Sequence, residues 1–465
     1  MIIKSSSIAT ENKNLILPKF MKTKLSSLII KNKNLILLGL IYFSFLSLFY
    51  LVEPVRIIIF QESSQTLGEN VVFWAVILNL IILFLTHLLF FKKIQKISFK
   101  KLFIVSVIIN LFLWLVWPIA SSDVFGYIYQ GRVWAIFKEN PYLTSYYSFQ
   151  HDVFFNSLNN IWSEYTSRYG PIFTIINSFF TFLFKNNIVL NLFILKFFFI
   201  IINILNGYLI YKITKNKKAF YLYTLNPLIL FEFAINGHND VLFIFFIVLA
   251  MFFLGKKGHD LKNYLTSFFL LTLSFLTKFI SVIFLPIFAL KAFIKTDKKA
   301  LLIFYLLLIF SITLILSYIP FSKKIIDIVG APLPQLSMLS ITASPLIILL
   351  ILISMLTKNY LPLESVIPIA GVIFVFCYLI ILFDIIKKRK VLKNSQNNLS
   401  FFWYFGLVLL LFYLTSIPWL MPWYFPLLIA LFSIIFSSTS KKERFSLLVI
   451  FGATFYGIIN YLILR

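Results

Sequence analysis

The sequence predicts an all-α polytopic membrane protein, and three observations carry that assignment. Of the 465 residues, 60% are hydrophobic and only 12% charged, against roughly 45–50% and about 25% in soluble domains. Apolar runs of span length recur from one end of the chain to the other, more apolar surface than a soluble fold of this size can bury. Lysines and arginines gather in short segments between those runs, where the positive-inside rule places them. The formal net charge of +26 therefore reads as a topology signal, and no nucleic-acid partner is expected. The single cysteine, Cys377, lies inside an apolar run and excludes an internal disulfide or a cysteine metal cluster.

The elements follow in order. The first 34 residues carry seven lysines and lead into "NLILLGLIYFSFLSLFYLV". No small-residue cleavage pattern follows, which predicts a cytoplasmic N-terminal segment (1–34) and a retained signal anchor. "NKNLIL" occurs at Asn12 and Asn32, too short a copy to signal a repeat architecture. Full spans are expected at 35–52, 70–91, 102–120, 187–211, 219–235, 300–320, 363–386, 400–417, 421–438 and 445–464, with the shorter run 241–254 as an eleventh. Four runs are short: 171–184, 265–276, 279–290 and 344–357. At about 1.5 Å per residue, a helix of 14 residues reaches about 21 Å of a hydrocarbon core near 30 Å.

Charge arbitrates among them. Let 171–184 and 344–357 stay uncrossed at the outer surface, and let 265–276 and 279–290 form an in-and-out pair with Lys278 near its outer turn. Segments holding 31 of the 42 lysines and arginines then fall on the cytoplasmic side. Letting 171–184 cross would send "KITKNKK" outside, against the rule. The expectation is about 13 transmembrane helices in one domain over 35–465, N-terminus inside and C-terminus outside. Eleven of the 16 acids fall on or beside the outer face, which directs the search for chemistry there.

The largest outer segment, about 121–187, is too long for a simple connector. It holds "DVFGYIYQGRVWAIF", then "ENPYL", a polar aromatic stretch, and "SRYGPIFTIINSFFTFLF". "NPY" and "YGP" read as breaks, because the residue before proline is pushed out of the α region. Two helices lying along the outer interface are expected here.

If 123–137 is helical, Asp123, Tyr127, Gln130 and Trp134 share one face. A carboxylate beside aromatic and amide groups suits a sugar hydroxyl: the acid accepts a proton, the rings stack on C–H faces, and the amide orients hydroxyls. The alternative is that Ser122 or Asp123 caps the helix. Arg132 falls on the opposite face, to meet a lipid phosphate or simply to sit among headgroups. "NGHND" (Asn236 to Asp240) joins two apolar runs, and its Asp240 either caps the next helix or serves a site with His238 and Asn239. Glu232 lies one turn upstream inside an apolar run, where acids are costly and by default functional candidates. Lys278 is placed to meet an anionic headgroup or to snorkel to the interface. Lys323 and Lys324 are less distinctive. "SIPWLMPWYFP" (Ser416 to Pro426) reads first as an aromatic belt element, with part of the sugar pocket as the alternative. Too few His and carboxylate ligands share helical spacing for a metal site, and no Walker A, GxGxxG or GxSxG motif is present. No cofactor is expected, and a lipid-borne sugar donor suits the topology better than a nucleotide one.

"SSDVFGYIYQGRVW", "NPY", "YGPIF", "NPLILFEFAINGHNDVLF" and a "TK…LP" hairpin, in that order, resemble the GT-C glycosyltransferases. More narrowly, they resemble the polyprenyl-phosphate-mannose-dependent α-(1→6)-mannopyranosyltransferases. The resemblance has motif quality over about Leu102 to Phe293. It implies a GT-C-like bundle and an inverting membrane transferase with Asp123 as general base. It further implies His238 and Asp240 in the same outer pocket, and Lys278 near the lipid phosphate. Tyr127, Gln130, Arg132, Tyr169 and Asn239 complete the substrate-binding candidates. The expected partners are a polyprenyl-phosphate-linked sugar donor, a glycan or glycolipid acceptor, and membrane lipids. Two other classes compete: an outer-face polymerase or ligase using pyrophosphate-linked donors, and a lipid-sugar transporter or flippase. The latter would place paired ionisable groups near the midplane, often with an internal repeat.

Overall fold

The structure, a computed structural model, describes residues 39, 41–49, 69–155, 163–256, 261–321, 343–357, 362–394, 399–437 and 440–463. The 1–34 segment, Lys323 and Lys324 lie outside the described residues. Among the described residues every regular element is helical, as a chain in lipid requires when each backbone N–H and C=O must be paired internally.

The elements that position the site are α1 (Glu69–Phe91), α2 (Phe99–Trp114), α3 (Asp123–Ala135), α4 (Pro171–Leu183), α5 (Ile188–Thr214), α6 (Lys217–Thr224), α7 (Pro227–Ile235) and α8 (Asp240–Leu254). They are followed by α9 (Leu261–Phe275), α10 (Leu285–Lys295), α11 (Lys299–Tyr318), α12 (Pro345–Leu356), α13 (Leu363–Lys387), α14 (Leu399–Thr415), α15 (Phe425–Ile435) and α16 (Ser440–Ile463). Among the described residues five helices are long and apolar enough to cross a membrane, and six if α7 and α8, bent by 120° at residues 236–239, count as one broken span. Several runs expected to span are shorter helices: α2 has 16 residues and α15 has 11. The in-and-out pair also differs in detail. Its first arm begins at Leu261, and its second opens with a 3-10 turn, Phe279–Phe284, before α10.

α8 sits at the centre, packed against α5, α9 and α15. Hydrophobicity alone cannot hold helices together in lipid, so small and polar contacts matter. Asn203 on α5 donates to Asn110 Oδ1 on α2 at 3.0 Å, and Asn206 donates to the Val241 carbonyl on α8 at 3.1 Å. Ser267 and Ser274 on α9 donate to the Ala250 and Phe243 carbonyls of α8, each at 2.9 Å. α11 and α13 lie at the periphery, with Leu307, Leu316, Phe376 and Phe383 exposed as lipid-facing side chains are.

Helix α3, expected along the outer interface, is enclosed by protein on all sides. Val124 to Val133 are all buried, because α4 packs along one side and the 140–155 segment covers another. Asn177 on α4 donates to the Tyr127 carbonyl, and Tyr146 stacks on Tyr129 at 4.2 Å.

Candidate active site

Asp123 is the first residue of α3 and Asp240 the first of α8, so each carboxylate sits where unpaired helix N–H groups favour negative charge. Neither occupies the N-cap: that position belongs to Ser122 and to Asn239, which make no side-chain capping bond. The Ser121 hydroxyl accepts from the Asp123 N–H at 3.2 Å.

Three tethers bring the separate motifs together. Asn236 Oδ1 accepts from the Ile119 and Ala120 N–H groups, each at 3.2 Å, joining "IASSD" to "NGHND". Gly237 turns the chain at φ +73°, a left-handed conformation that side chains disfavour, with Lys196 of α5 close beneath it. The Lys196 amine donates to the Val116 carbonyl just past α2. The third tether is backbone on backbone. Gly170 N–H donates to Thr277 O at 3.0 Å, and Ile172 N–H to Leu276 O at 3.1 Å. A Cβ at Gly170 would overlap the Leu276 carbonyl, so glycine is needed for this approach, which sets Tyr169 beside the turn carrying Lys278.

The result is one cluster. His238 Nδ1 lies 3.6 Å from Asp123 Oδ2, and its Nε2 lies 3.3 Å from Glu232 Oε2. Lys278 Nζ pairs with Asp240 Oδ1 at 2.7 Å. Tyr127 donates to Asn239 Oδ1 at 3.4 Å and meets Tyr169 edge to face at 5.2 Å. The Pro/Trp-rich turn supplies the remaining wall: Trp423 stacks on His238 at 4.3 Å, and Lys278 sits 4.7 Å over the Tyr424 ring. His238 and Glu232 are fully enclosed, whereas Asp123 is 12% and Lys278 20% exposed. Among the cluster's acids, its histidine and its lysine, the groups that keep an opening are thus one carboxylate and the cation. Burial pushes the Asp123 carboxyl up to about 7, opposed by the charge of Lys278. That places it where a general base works near neutrality.

Of the sequence candidates, Asp123, Tyr127, Tyr169, His238, Asn239, Asp240 and Lys278 converge. Gln130 lies further along α3, accepting from Ser167 at 3.3 Å. Arg132 is not brought to the cluster or to lipid. It is 1% exposed and bonded to both oxygens of Asp152 and to the Lys185 carbonyl, beneath the Phe154 ring. Trp423, from the turn read first as an aromatic belt element, stands against His238, and Tyr461 belongs to no motif. Tyr461 near the end of α16 donates to Glu232 Oε1 at 2.6 Å across 229 residues, a contact with no local signature. Among the described residues no group of three or more His, Cys, Asp or Glu is arranged to hold a metal ion.

A polytopic helical bundle that gathers a partly open carboxylate, a cation and stacked aromatics in one cluster is built as an integral-membrane glycosyltransferase can be. The family can be stated more closely. The model for the alpha-(1->6)-mannopyranosyltransferase family, N-terminal domain, matches residues 43–294, more than half of the chain, and the chain belongs to that family. No curated protein and no solved structure matches it. Asp123, Glu232, His238, Asp240 and Lys278 fall within the matched residues, while Trp423, Tyr424 and Tyr461 lie beyond them.

Proposed function

We propose that this mannosyltransferase takes its sugar from a polyprenyl-phosphate-linked donor. It passes the sugar, with inversion, to a hydroxyl of a glycan or glycolipid acceptor at the outer face of the cell membrane. The observation that carries the reading is that Asp123 and Lys278 are partly open, whereas His238, Glu232 and Asp240 beside them are enclosed. Asp123 takes the acceptor proton as the hydroxyl oxygen bonds to the anomeric carbon. The bond from that carbon to the phosphate oxygen breaks, and its electron pair leaves with the polyprenyl phosphate. Lys278 meets the charge developing there, the kind of electrostatic aid that counts most in a water-poor site. Tyr169, partly exposed, offers a ring to the sugar, with the buried Tyr127 packed edge to face against it. The gathering of lysines and arginines in segments opposite the site by hydropathy supports the outer-face orientation.

The test is mannosyl transfer from a polyprenyl-phosphate-linked donor in membranes holding equal folded amounts of wild type and Asp123→Asn. Wild type releases polyprenyl phosphate, and the variant falls at least ~100-fold, the low end for a lost general base. Equal rates would remove Asp123 from the chemistry. No transfer from any such donor would overturn the donor class.

A further inference from the structure

Behind Asp123 lies a second carboxyl group that the transfer step does not use. Glu232 and Asp123 approach opposite nitrogens of the same imidazole, at 3.3 and 3.6 Å. The arrangement is built rather than incidental. Residues Leu230–Ile235 form a π-helical turn, a feature that recurs at functional sites and re-aims side chains. The His238 N–H closes that turn onto the Glu232 carbonyl at 3.0 Å. Tyr461 fixes Glu232 Oε1 at 2.6 Å, and the ring of His238 is held flat against Trp423.

Proton accounting gives the arrangement a direction. Two ring nitrogens face two carboxyl oxygens, and each contact needs one proton to be attractive. A neutral imidazole brings one. The second is shared between Glu232 Oε2 and His238 Nε2, since Glu232 is fully enclosed while Asp123 keeps some exposure, and the more enclosed carboxylate is the costlier to leave ionised. On whichever of those two atoms it rests, Nδ1 is left carrying a hydrogen toward Asp123. The 3.6 Å separation is long for a hydrogen bond, as catalytic contacts often are before substrate tightens them.

We propose that Glu232 and His238 are a positioning pair that presents the Nδ1–H of His238 to Asp123 Oδ2, holding Asp123 ionised and turned so that Oδ1 faces the acceptor hydroxyl. The pair touches no substrate and acts only through Asp123, so the proposal rests on Asp123 being the base. The other charged or titratable groups facing Asp123 are Lys278, Arg168 and Asp240, with the hydroxyls of Tyr127, Tyr169, Tyr424 and Tyr461. Those facing the pair itself are Lys278, Asp240 and Tyr461. All remain in place in the variants below.

The experiment is the pH profile of kcat/KM for mannosyl transfer in wild type, Asp123→Asn, His238→Phe, His238→Asn and Glu232→Leu. Folded yield is checked for each by size-exclusion in detergent. His238→Phe removes the N–H and keeps a ring against Trp423. Its acid limb moves up by about one pH unit, a tenfold loss at a fixed pH on that limb, as expected for a lost hydrogen bond to a charged group. Glu232→Leu moves the limb the same way. His238→Asn, whose amide overlays Nδ1–H, brings it back toward wild type. A limb that stays put in both His238→Phe and Glu232→Leu, with activity merely lowered at every pH, overturns the pair and leaves Asp123 as base. Full activity in Asp123→Asn overturns the underlying reading instead.

A second readout does not depend on variant activity. The chain has four histidines, and 15N-histidine spectra of wild type in nanodiscs report which ring nitrogens are protonated. The resonance missing from His238→Asn, or left when the other three histidines are replaced, belongs to His238. Protonated Nδ1 at neutral pH supports the pair, and a ring protonated at Nε2 alone overturns it.

Discussion

The Arg132–Asp152 pair offers the sharpest test of how the segment over α3 is held. Their side chains are 1% and 6% exposed, and both Asp152 oxygens engage the guanidinium. Removing one partner of a buried, hydrogen-bonded pair strands a charge and costs about 3–5 kcal/mol. Each partner here keeps some company after its mate is lost. Arg132 retains the Lys185 carbonyl and the Phe154 ring at 4.1 Å. Asp152 retains the Tyr146 hydroxyl and the Val153 N–H at 2.9 Å. The low end, about 3 kcal/mol, is therefore expected for Asp152→Ala and again for Arg132→Met, roughly a hundredfold in the folded-to-unfolded ratio. Replacing both, Arg132→Met with Asp152→Leu, removes the stranded charge and should cost less than the two single changes together by at least ~2 kcal/mol. Reversible SDS titration in mixed micelles would measure all three. Single variants indistinguishable from wild type, or a double variant as damaged as the sum of the singles, would refute the reasoning.

Three further outcomes follow from the site. Because burial raises Asp123 to about 7, the protonated, inactive form dominates below that value, and kcat/KM should climb as pH rises through it; a flat profile from pH 5 to 9 would contradict this. Lys278→Met should lower kcat/KM on the order of 100-fold by removing the charge that meets the leaving phosphate, with Lys278→Arg recovering part of the loss in a polyprenyl-phosphate release assay. Gly237→Ala forces a side chain into a left-handed turn against Lys196 Cγ at 3.0 Å, so it should cost about 1–2 kcal/mol of stability and be seen as an earlier midpoint in the same micelle titration.

Much of this protein is legible in its sequence. The all-helical membrane class follows from composition and run length, because lipid admits few other backbones. The residues that later converge announce themselves as polar groups at the ends of apolar runs: Asp123, the "NGHND" turn and Lys278. Glu232 was visible as an acid within a run. Even so, the sequence left open whether Asp123 and Asp240 cap their helices, and the structure sets Ser122 and Asn239 at those cap positions instead.

What the tertiary structure alone decided is which faces meet. Helical periodicity sorts apolar from polar sides when water lies on one of them, but lipid and protein interior are both apolar, so the pattern says little about neighbours. Helix α3 shows this: its sequence suits an interface, yet α4 and the 140–155 segment close over it and turn Arg132 inward to Asp152. Tyr461 shows it again, reaching Glu232 from 229 residues away through a contact no local window contains. The sequence by itself determined that this is a helical membrane protein with acids and a lysine at span ends. Packing against other helices, set by a few small and polar contacts between apolar surfaces, decided that those groups form one site.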